Sequence, residues 1–590
     1  MTTIAQGRPS EFKPFEPLEH ANLSINYLTE MTDAKLGYLP YGVVVPFKNP
    51  PFAEHNRIDD ALLVPSWYEG LSCAREMAGS ERGAAVEEAL LNKLLGEGWD
   101  DNSGLRFPVR RPWSGKMDYC LISEMATVLS ALNRALEVSP KNKLAEKRSA
   151  DLVAGLRKLV VESKIRAVEI GEVGNEETCF SFPVDVYVLG KGLTPEISTG
   201  FSDWELRCSV LITPLVKRYA LTEDEAALDL AVGLANRITA ISHFFTMRNE
   251  FSGQVHSAIW TASGLARLGR VAGQDRYIAK AKGLYDYVRR NSSAFGWVPE
   301  YMQWQLIADE RCEAFCIKDM MECALELVDC GFPEYWDDIH RFWRNHLAQS
   351  QLADTGFMPD TKSPADTEMR TYKNMPARLL GGCFGGSAPN GMLLSRYNSI
   401  SGYASGVAPQ GMLLAWRRAI EYSRGTATIN FPVNCENEVA QVRVGYPNEG
   451  AIRVKLKKAC RVIVRVFPWM PTPHEGTRGG RPAALERRDD QVSFSNSEKG
   501  AELEFTHELK MRRVLENVMG LDFFGLWRGA DMVDILPHGQ GYRLYQRGVG
   551  VAVENPVFPE QYEPKAEVEH LIEPENLREA RLNRRKAPRN

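Results

Sequence analysis

The chain has 590 residues, 44% hydrophobic and 25% charged, which is enough material for two or three packed domains. Its 71 basic and 76 acidic residues are mixed along the sequence and give a formal net charge of −5, so the concentrated basic face of a nucleic-acid-binding protein is excluded. No apolar run approaches the roughly 20 residues that span a bilayer. We therefore expect no nucleic-acid partner and no membrane partner.

The first residues, MTTIAQGRPSEFKPFEPLEH, have neither the basic start nor the apolar run of a signal peptide. The eleven cysteines are odd in number and follow no disulfide pattern of a small secreted protein, which favours reduced thiols. Together these features predict a cytoplasmic protein.

Residues 1–90 predict an extended arm, interrupted by prolines, that leads into the first helices. From about residue 118 to 425 the apolar residues recur every three or four positions, which predicts an almost entirely helical region. Examples are the stretches Tyr119–Leu136, Arg207–Ala220, Ala226–Ile238 and Ile259–Val271. Pairs of helices repeated in this way indicate either a solenoid or a closed helical toroid.

After Gly425 the apolar period changes from 3.6 to 2. The segments Gln441–Gly445, Ala451–Leu456 and Arg461–Phe467 alternate apolar and polar residues and are rich in valine. This alternation predicts a half-buried antiparallel sheet, and we assign a β-sandwich to residues 426–560. Residues 561–590 are rich in charge and predict a tail.

The segment Gly296–Cys316 combines aromatic residues, carboxylates and cysteines. Trp304 offers a ring that stacks on a sugar, and Glu300 offers a carboxyl group of the kind that glycoside hydrolysis uses in pairs. If Glu300 is a general acid, burial among its aromatic neighbours must keep its carboxyl group protonated. The same residues also fit an amphipathic helix with exposed acids and buried tryptophans.

Cysteine and histidine residues give two further kinds of candidate. Cys316, Cys323 and Cys330 are seven positions apart and predict a buried stripe on one helix. Cys383 lies in the glycine-rich loop GGCFGGSAPNGM, where a thiolate would suit a nucleophile or a metal ligand, although a lone loop cysteine is more often inert. His256 is a candidate for binding a sugar hydroxyl or, alternatively, a core histidine.

Three phrases of the chain resemble glycoside hydrolase family 127. They are QVHSAIWTASGLARLGRVAGQDRY, ERCEAFCIKDMMECALELVDCGFPEYWDDIHRFW and ATINFPVNCENEVAQVRVGYPNEGAIRVKL, in that order. The resemblance implies an (α/α)6 toroid over residues 91–425 followed by a β-sandwich, and an activity like that of a β-L-arabinofuranosidase.

The resemblance also implies a zinc site. Glu310 and Cys312 match the family's Glu-x-Cys ligands, and Cys383 matches part of a pair of adjacent cysteines, one of which is the proposed nucleophile. Here the pair is broken, because Phe384 follows Cys383. Three ligands would leave zinc one short of a closed tetrahedral set.

We therefore expect a glycoside hydrolase that acts on a small oligosaccharide or glycoconjugate in the mouth of the toroid. The candidate catalytic residues are Glu300 and Cys383, and the candidate substrate-binding residues are His256, Trp304 and Arg396. Two alternatives stay open: a uronic-acid-specific hydrolase or polysaccharide lyase on the same fold, and a non-catalytic carbohydrate-binding protein with a degraded metal site. The sequence leaves open the sugar and whether the chain forms a homo-oligomer.

Overall fold

The computed structural model describes residues 11–46, 48–56, 62–114, 117–169, 172–195, 203–240, 244–303, 311–358, 363–391, 400–539 and 542–548. The helices are α1 Pro17–Glu30, α2 Leu63–Ala78, α3 Ala84–Gly96, α4 Met125–Val138, α5 Lys143–Leu159, α6 Trp204–Cys208, α7 Ile212–Thr222, α8 Glu225–Ala240, α9 Val255–Ala272, α10 Asp275–Arg290, α11 Ala314–Asp329, α12 Trp336–Phe342, α13 Met375–Leu379 and α14 Gly402–Arg417. Helix α12 continues as a π-helical turn, Trp343–Leu347.

The strands of the N-terminal two thirds are β1 Thr32–Asp33, β2 Leu39–Pro40, β3 Val43–Val45, β4 Phe52–Glu54, β5 Tyr119–Leu121, β6 Val161–Glu169, β7 Glu172–Ser181, β8 Val186–Val188, β9 Gly192–Leu193, β10 Gly253–Gln254, β11 Tyr301–Met302, β12 Arg370–Thr371 and β13 Ile400–Ser401. Those of the C-terminal third are β14 Ile420–Ser423, β15 Thr426–Ile429, β16 Cys435–Glu436, β17 Ala440–Val444, β18 Ala451–Leu456, β19 Cys460–Arg465, β20 Glu475–Arg478, β21 Arg481–Pro482, β22 Glu486–Arg488, β23 Gln491–Ser497, β24 Glu502–Thr506, β25 Met511–Val518, β26 Leu521–Arg528 and β27 Asp531–Leu536.

Six of the described helices form a closed inner ring. Helix α2 packs on α4, α4 on α7, α7 on α9, α9 on α11, α11 on α14, and α14 returns to α2. A second layer packs outside them, in which α3, α5, α8, α10 and α12 each follow an inner helix, and α1 lies against both α2 and α14. The predicted (α/α)6 toroid is confirmed.

The connections of the toroid are long at one rim and short at the other. The inner helices α2, α4, α7 and α9 reach their outer partners through turns such as 223–224 and 273–274. The chain returns from an outer helix to the next inner helix through segments such as 97–124 and 291–313. The long segments therefore gather at the N-terminal ends of the inner helices, where loops are free to carry a binding site.

Two glycines close the ring between α2 and α14. A Cβ atom on Gly70 would lie 2.1 Å from the carbonyl oxygen of Gly406, and a Cβ atom on Gly406 would lie 2.7 Å from the carbonyl oxygen of Ser66. Real Cβ atoms do not approach backbone oxygens this closely, so any larger residue forces the two helices apart. The small residues thus set the diameter of the ring at the joint between its first and last inner helices.

The toroid region is less helical than the sequence predicted. Strands β6 and β7 form an antiparallel hairpin between α5 and α6, and the described residues between the π-helical turn and α14, 350–358, 363–391 and 400–401, contain one short helix, α13, and two short strands, β12 and β13. The hairpin packs through Phe180 onto α8, where Gly233 leaves room for the ring. It was missed because the helical pattern on either side was extended across it.

The C-terminal third contains two larger sheets with the strand orders β14-β15-β19-β23-β22 and β16-β17-β18-β24-β20-β21. The second sheet is antiparallel throughout. The first differs from the prediction at one point, because β15 pairs with β19 in parallel. A separate sheet, β25-β26-β27, follows within the region assigned to the sandwich.

Helices α1 and α2 both lie within residues 1–90. Helix α2 starts at Leu63 and belongs to the inner ring, and α1 packs in the outer layer. The tail 561–590 lies outside the described residues. Among the helices that the structure describes, none has the length and apolar composition that a bilayer crossing requires.

The third sheet is joined to the toroid by a buried ion cluster. Asp531, at the start of β27, accepts hydrogen bonds from Arg344 of the π-helical turn at 2.9 and 2.8 Å and also pairs with Arg547. The Asp531 side chain is fully buried and that of Arg344 is 1% exposed. Replacing Asp531 would leave two buried guanidinium groups without a counter-charge, which costs about 3–5 kcal/mol.

All eleven cysteines lie in the described part of the chain and are free thiols. Cys316 and Cys323 are fully buried on α11, as the seven-residue spacing predicted. Cys330 caps the end of that helix and is only partly buried.

The close contact at Gly70 predicts a specific loss of stability. Replacement of Gly70 by Ala should lower the free energy of unfolding by about 1–3 kcal/mol, because the new methyl group has no space against Gly406. Chemical denaturation of the full chain measures it. Gly96→Ala is the matched control: Gly96 is also helical but its Cβ would meet nothing within 4 Å, so a change under about 1 kcal/mol is expected. Equal losses in both variants would contradict the role of the glycine contact.

Candidate active site

Backbone pairing joins several long connections at the N-terminal rim. Strand β10, just before α9, pairs with β11, and the N–H of Val255 donates to the carbonyl of Glu300 at 2.8 Å. Cys312 and Ser387 exchange two backbone hydrogen bonds of 2.9 Å. Backbone hydrogen bonds therefore join Cys312 to the glycine-rich loop at Ser387.

Glu300 is buried, with 3% of its surface exposed, and forms an ion pair with Arg311. A guanidinium beside a carboxyl group favours its ionised form, which has no proton to donate. Burial and then the charge of Glu300 raise the pKa of the neighbouring Tyr301 hydroxyl well above its ordinary value. The structure thus gives the Glu300 side chain a charged partner, whereas the sequence prediction required aromatic neighbours that keep its carboxyl group protonated.

The two candidate cysteines are buried thiols. Cys312 is 1% exposed and accepts a hydrogen bond on its sulfur from the N–H of Val298 at 3.4 Å. Cys383 is fully buried, and its own N–H donates to the Ser405 hydroxyl at 2.9 Å. Burial raises the pKa of the Cys383 thiol to about 12 and that of Cys312 above its ordinary value as well. In the absence of a metal both sulfurs therefore favour the neutral thiol, whereas a cysteine nucleophile reacts as the thiolate.

The described residues do not fit a zinc ion. No group of three or more His, Cys, Asp or Glu side chains within the described ranges is arranged to hold a metal. Glu310, the remaining ligand that the resemblance implies, lies outside the described residues, as do the predicted substrate-binding residues Trp304 and Arg396.

His256 lies on the first turn of α9, at the rim, and its side chain is 22% exposed. Its Nδ1 atom lies 2.5 Å from Oδ2 of Asp319, a fully buried residue of α11. Because a carboxylate only accepts hydrogen bonds, Nδ1 carries the proton, and the other ring nitrogen, Nε2, is an acceptor in the neutral imidazole. A buried carboxylate that orients a partly exposed imidazole is the arrangement of a general acid or base.

Aromatic rings enclose the imidazole. The ring of Trp260 stacks on His256 with centroids 5.4 Å apart, and that of Phe315 meets it edge-on at 5.2 Å. Phe315 is partly exposed, and so is Glu313, which caps the N-terminus of α11 two residues earlier. The rim thus combines an oriented imidazole, an aromatic surface and a carboxylate.

Asp319 was missed by sequence reasoning. It lies within IKDMMEC, where charged and apolar residues are all buried in α11. Charged residues in a helix that is apolar on several faces indicate buried groups that pair with one another. That signal was present but was overshadowed by the cysteine spacing.

A buried histidine links the glycine-rich loop to the C-terminal segment. His346 lies 2.8 Å from the Ser387 hydroxyl through Nε2 and 2.8 Å from the Tyr545 hydroxyl through Nδ1. Ser387 is the residue that pairs with Cys312, so His346 supports the loop from behind. Burial lowers the pKa of His346 to about 3.

The architecture is that of an (α/α)6 toroid followed by a β-sandwich. No protein-family model matches the sequence, and no curated protein is similar to it in sequence. Solved structures share the fold. A GH127 β-L-arabinofuranosidase from Geobacillus stearothermophilus T6 is 12% identical with a TM-score of 0.54, over 87% of this chain and 80% of that one.

A second GH127 β-arabinofuranosidase is 14% identical with a TM-score of 0.55, over 89% of this chain and 84% of that one. A third structure, described as a glycoside hydrolase, is 12% identical with a TM-score of 0.55, over 88% and 81% of the two chains. The chain is therefore a divergent relative of these proteins in fold.

His346 predicts a pH dependence of stability. Its pKa is about 3 in the folded state and about 6.5 in an unfolded chain. The unfolded state binds more protons between these values, so the stabilisation is complete above about pH 6.5 and is lost as the pH falls, at up to about 1.4 kcal/mol per pH unit. H346Q should flatten the fall in unfolding free energy between about pH 6.5 and 4 relative to the wild type.

Urea denaturation at several pH values measures this slope. H538Q is the matched control, since the His538 side chain is 38% exposed and should leave the slope unchanged. A wild-type slope in H346Q would show that His346 does not titrate as its burial requires.

Proposed function

We propose that the protein is a carbohydrate-active enzyme, a glycoside hydrolase that acts on a small oligosaccharide or glycoconjugate at the N-terminal rim of the toroid. The observation that carries the proposal is the His256–Asp319 pair, in which a fully buried carboxylate orients a partly exposed imidazole beside aromatic rings. The shared fold with GH127 enzymes supports it.

Hydrolysis of a glycosidic bond needs one group that protonates the leaving oxygen and one that assists attack at the anomeric carbon. In this proposal the protonated imidazole of His256 donates from Nε2 to the glycosidic oxygen, and Asp319 stabilises the imidazolium. The carboxylate of Glu313 takes the proton of the attacking water. The C–O bond breaks towards the leaving sugar, which departs as an alcohol, and the water oxygen bonds to the anomeric carbon.

The residues that the sequence favoured take other roles in this scheme. Glu300 is a carboxylate held by Arg311 and shapes the rim electrostatically. Cys383 supports the glycine-rich loop through its backbone contacts with Ser405 and Gln351. Because a GH127 β-L-arabinofuranosidase shares the fold, 4-nitrophenyl β-L-arabinofuranoside is the first substrate to test.

The same pair favours a second candidate, sugar isomerisation or epimerisation. A neutral imidazole oriented by a carboxylate suits removal of a proton next to a carbonyl group, which needs no pair of carboxyl groups. Product analysis separates the two activities, because hydrolysis releases two sugars and isomerisation changes one.

Removal of the imidazole should abolish activity. H256Q keeps a polar side chain of similar size but cannot exchange a proton at neutral pH, so kcat should fall on the order of 10²–10⁴-fold. A panel of 4-nitrophenyl glycosides that includes the β-L-arabinofuranoside identifies the sugar. The kcat values are then compared on disaccharides of that sugar, with chromatography of the products, because a sugar alcohol leaves only when it is protonated whereas 4-nitrophenolate does not need the proton.

Two variants serve as controls for this assay. H538Q changes an exposed histidine that follows strand β27 and should retain wild-type kcat. C383S separates the proposal from a cysteine nucleophile, since it should retain most of the activity if the buried thiol is structural. Loss of activity in C383S together with full activity in H256Q would reverse the assignment.

A further inference from the structure

A row of charged side chains, of which the three on α11 are buried and the other two partly buried, lies behind His256. It consists of Asp319, Lys318 and Glu322 of α11, Lys217 of α7 and Glu69 of α2. Asp319, Glu322 and Lys318 have side chains that are at most 6% exposed. Charges buried in this way are costly unless each is paired and hydrogen-bonded, so their arrangement is constrained.

Lys318 connects this row to the rim. Its ammonium group lies 3.2 Å from Oδ1 of Asp319 and donates to Glu322 at 2.6 Å. It also lies 4.8 Å from the centre of the Trp260 ring, whose stacking partner is His256. The two oxygens of Asp319 are thus divided, one towards Lys318 and one towards His256.

Glu322 keeps the ammonium group charged and in place. Although burial opposes its ionised form, Lys217 and Lys318 lower the pKa of the Glu322 carboxyl group well below its ordinary value. Burial likewise opposes the charged form of Lys318, but Glu322 and then Asp319 raise the pKa of its ammonium group. Because Lys318 pairs with both Asp319 and Glu322, its ammonium group has little freedom to move away from either carboxylate.

A cavity of about 190 Å³ lies on the other side of Lys318. It is lined by polar side chains of several inner helices, including Glu69, Ser130, Lys217 and Gln410. Shortening Lys318 would extend this cavity towards Asp319. The cavity therefore offers a small cation a place from which to replace the ammonium group.

We propose that Lys318 is a positioning residue for the active site, which fixes the carboxylate of Asp319 so that the imidazole of His256 is held in one orientation towards the rim. This inference rests on the proposed function in the kinetic test, whereas the NMR test needs no substrate. Lys318 does not touch a substrate in this scheme. Its effect passes through the shared carboxylate, because rotation of Asp319 would move the acceptor away from Nδ1 of His256.

Proton NMR of the full chain tests the inference without a substrate. The proton between His256 and Asp319 should give a far-downfield resonance, identified by its loss in H256Q. K318M should shift or broaden this resonance, whereas K282M should not. Lys282 is a matched control, since it also pairs with a carboxylate, Asp286, but on the outer helix α10. An unchanged resonance in folded K318M would overturn the proposal.

A second pair of variants applies if K318M does not fold. K318R and K318Q both keep a polar side chain, but only K318R keeps the charge. A resonance kept in K318R and displaced in K318Q supports the inference, and the same resonance in both would overturn it.

Kinetics give an independent measure on any substrate that the enzyme turns over. K318A should lower kcat on the order of 10²-fold without raising KM, because positioning is lost while substrate binding is not. Ethylammonium, which can enter the enlarged cavity, should restore part of kcat in K318A and have no effect on the wild type or on K282M. Full kcat in K318A would overturn the inference. If no sugar is turned over, the proposed function fails while the resonance still decides the role of Lys318.

Discussion

The whole arrangement depends on closing a ring of inner helices to one diameter. The contact between Gly70 and Gly406 brings the first and last inner helices within backbone distance. Helices α9 and α11 are neighbours in this ring, so that His256 and Asp319, 63 positions apart, share a hydrogen bond. Closure also encloses the central charges, which obliges them to pair with one another.

Much of the fold could be predicted because the spacing of apolar residues differs between helices and strands. The change of period at Gly425 marks the passage from helices to sheets, and the spacing of Cys316 and Cys323 identifies a buried face of α11. The β6–β7 hairpin and the parallel β15–β19 pair escaped prediction. The hairpin was missed because the helical pattern on either side was extended across it. The parallel pair depends on which strand lies beside which, and a local pattern does not contain that information.

The site was harder to predict than the fold because chemistry depends on partners. His256 was found from its place before an apolar helix, but its partner Asp319 lies on another helix and was overlooked. Glu300 and Cys383 have side chains of suitable type. In the structure Glu300 forms an ion pair with Arg311, and Cys383 is completely buried. Residue type identifies what a group can do, whereas its neighbours determine which protonation state it occupies.

The cluster of Arg344, Asp531 and Arg547 has a consequence for how the chain reaches its native state. The residues of this cluster are separated by up to 203 positions, and Tyr545, which supports His346, belongs to the same late segment. The toroid buries Arg344 with its partner only after the third sheet has been synthesised, so a nascent toroid holds a charge without a counterion. Folding of the rim is therefore expected to finish after translation, with the helical and β parts unfolding as one cooperative unit.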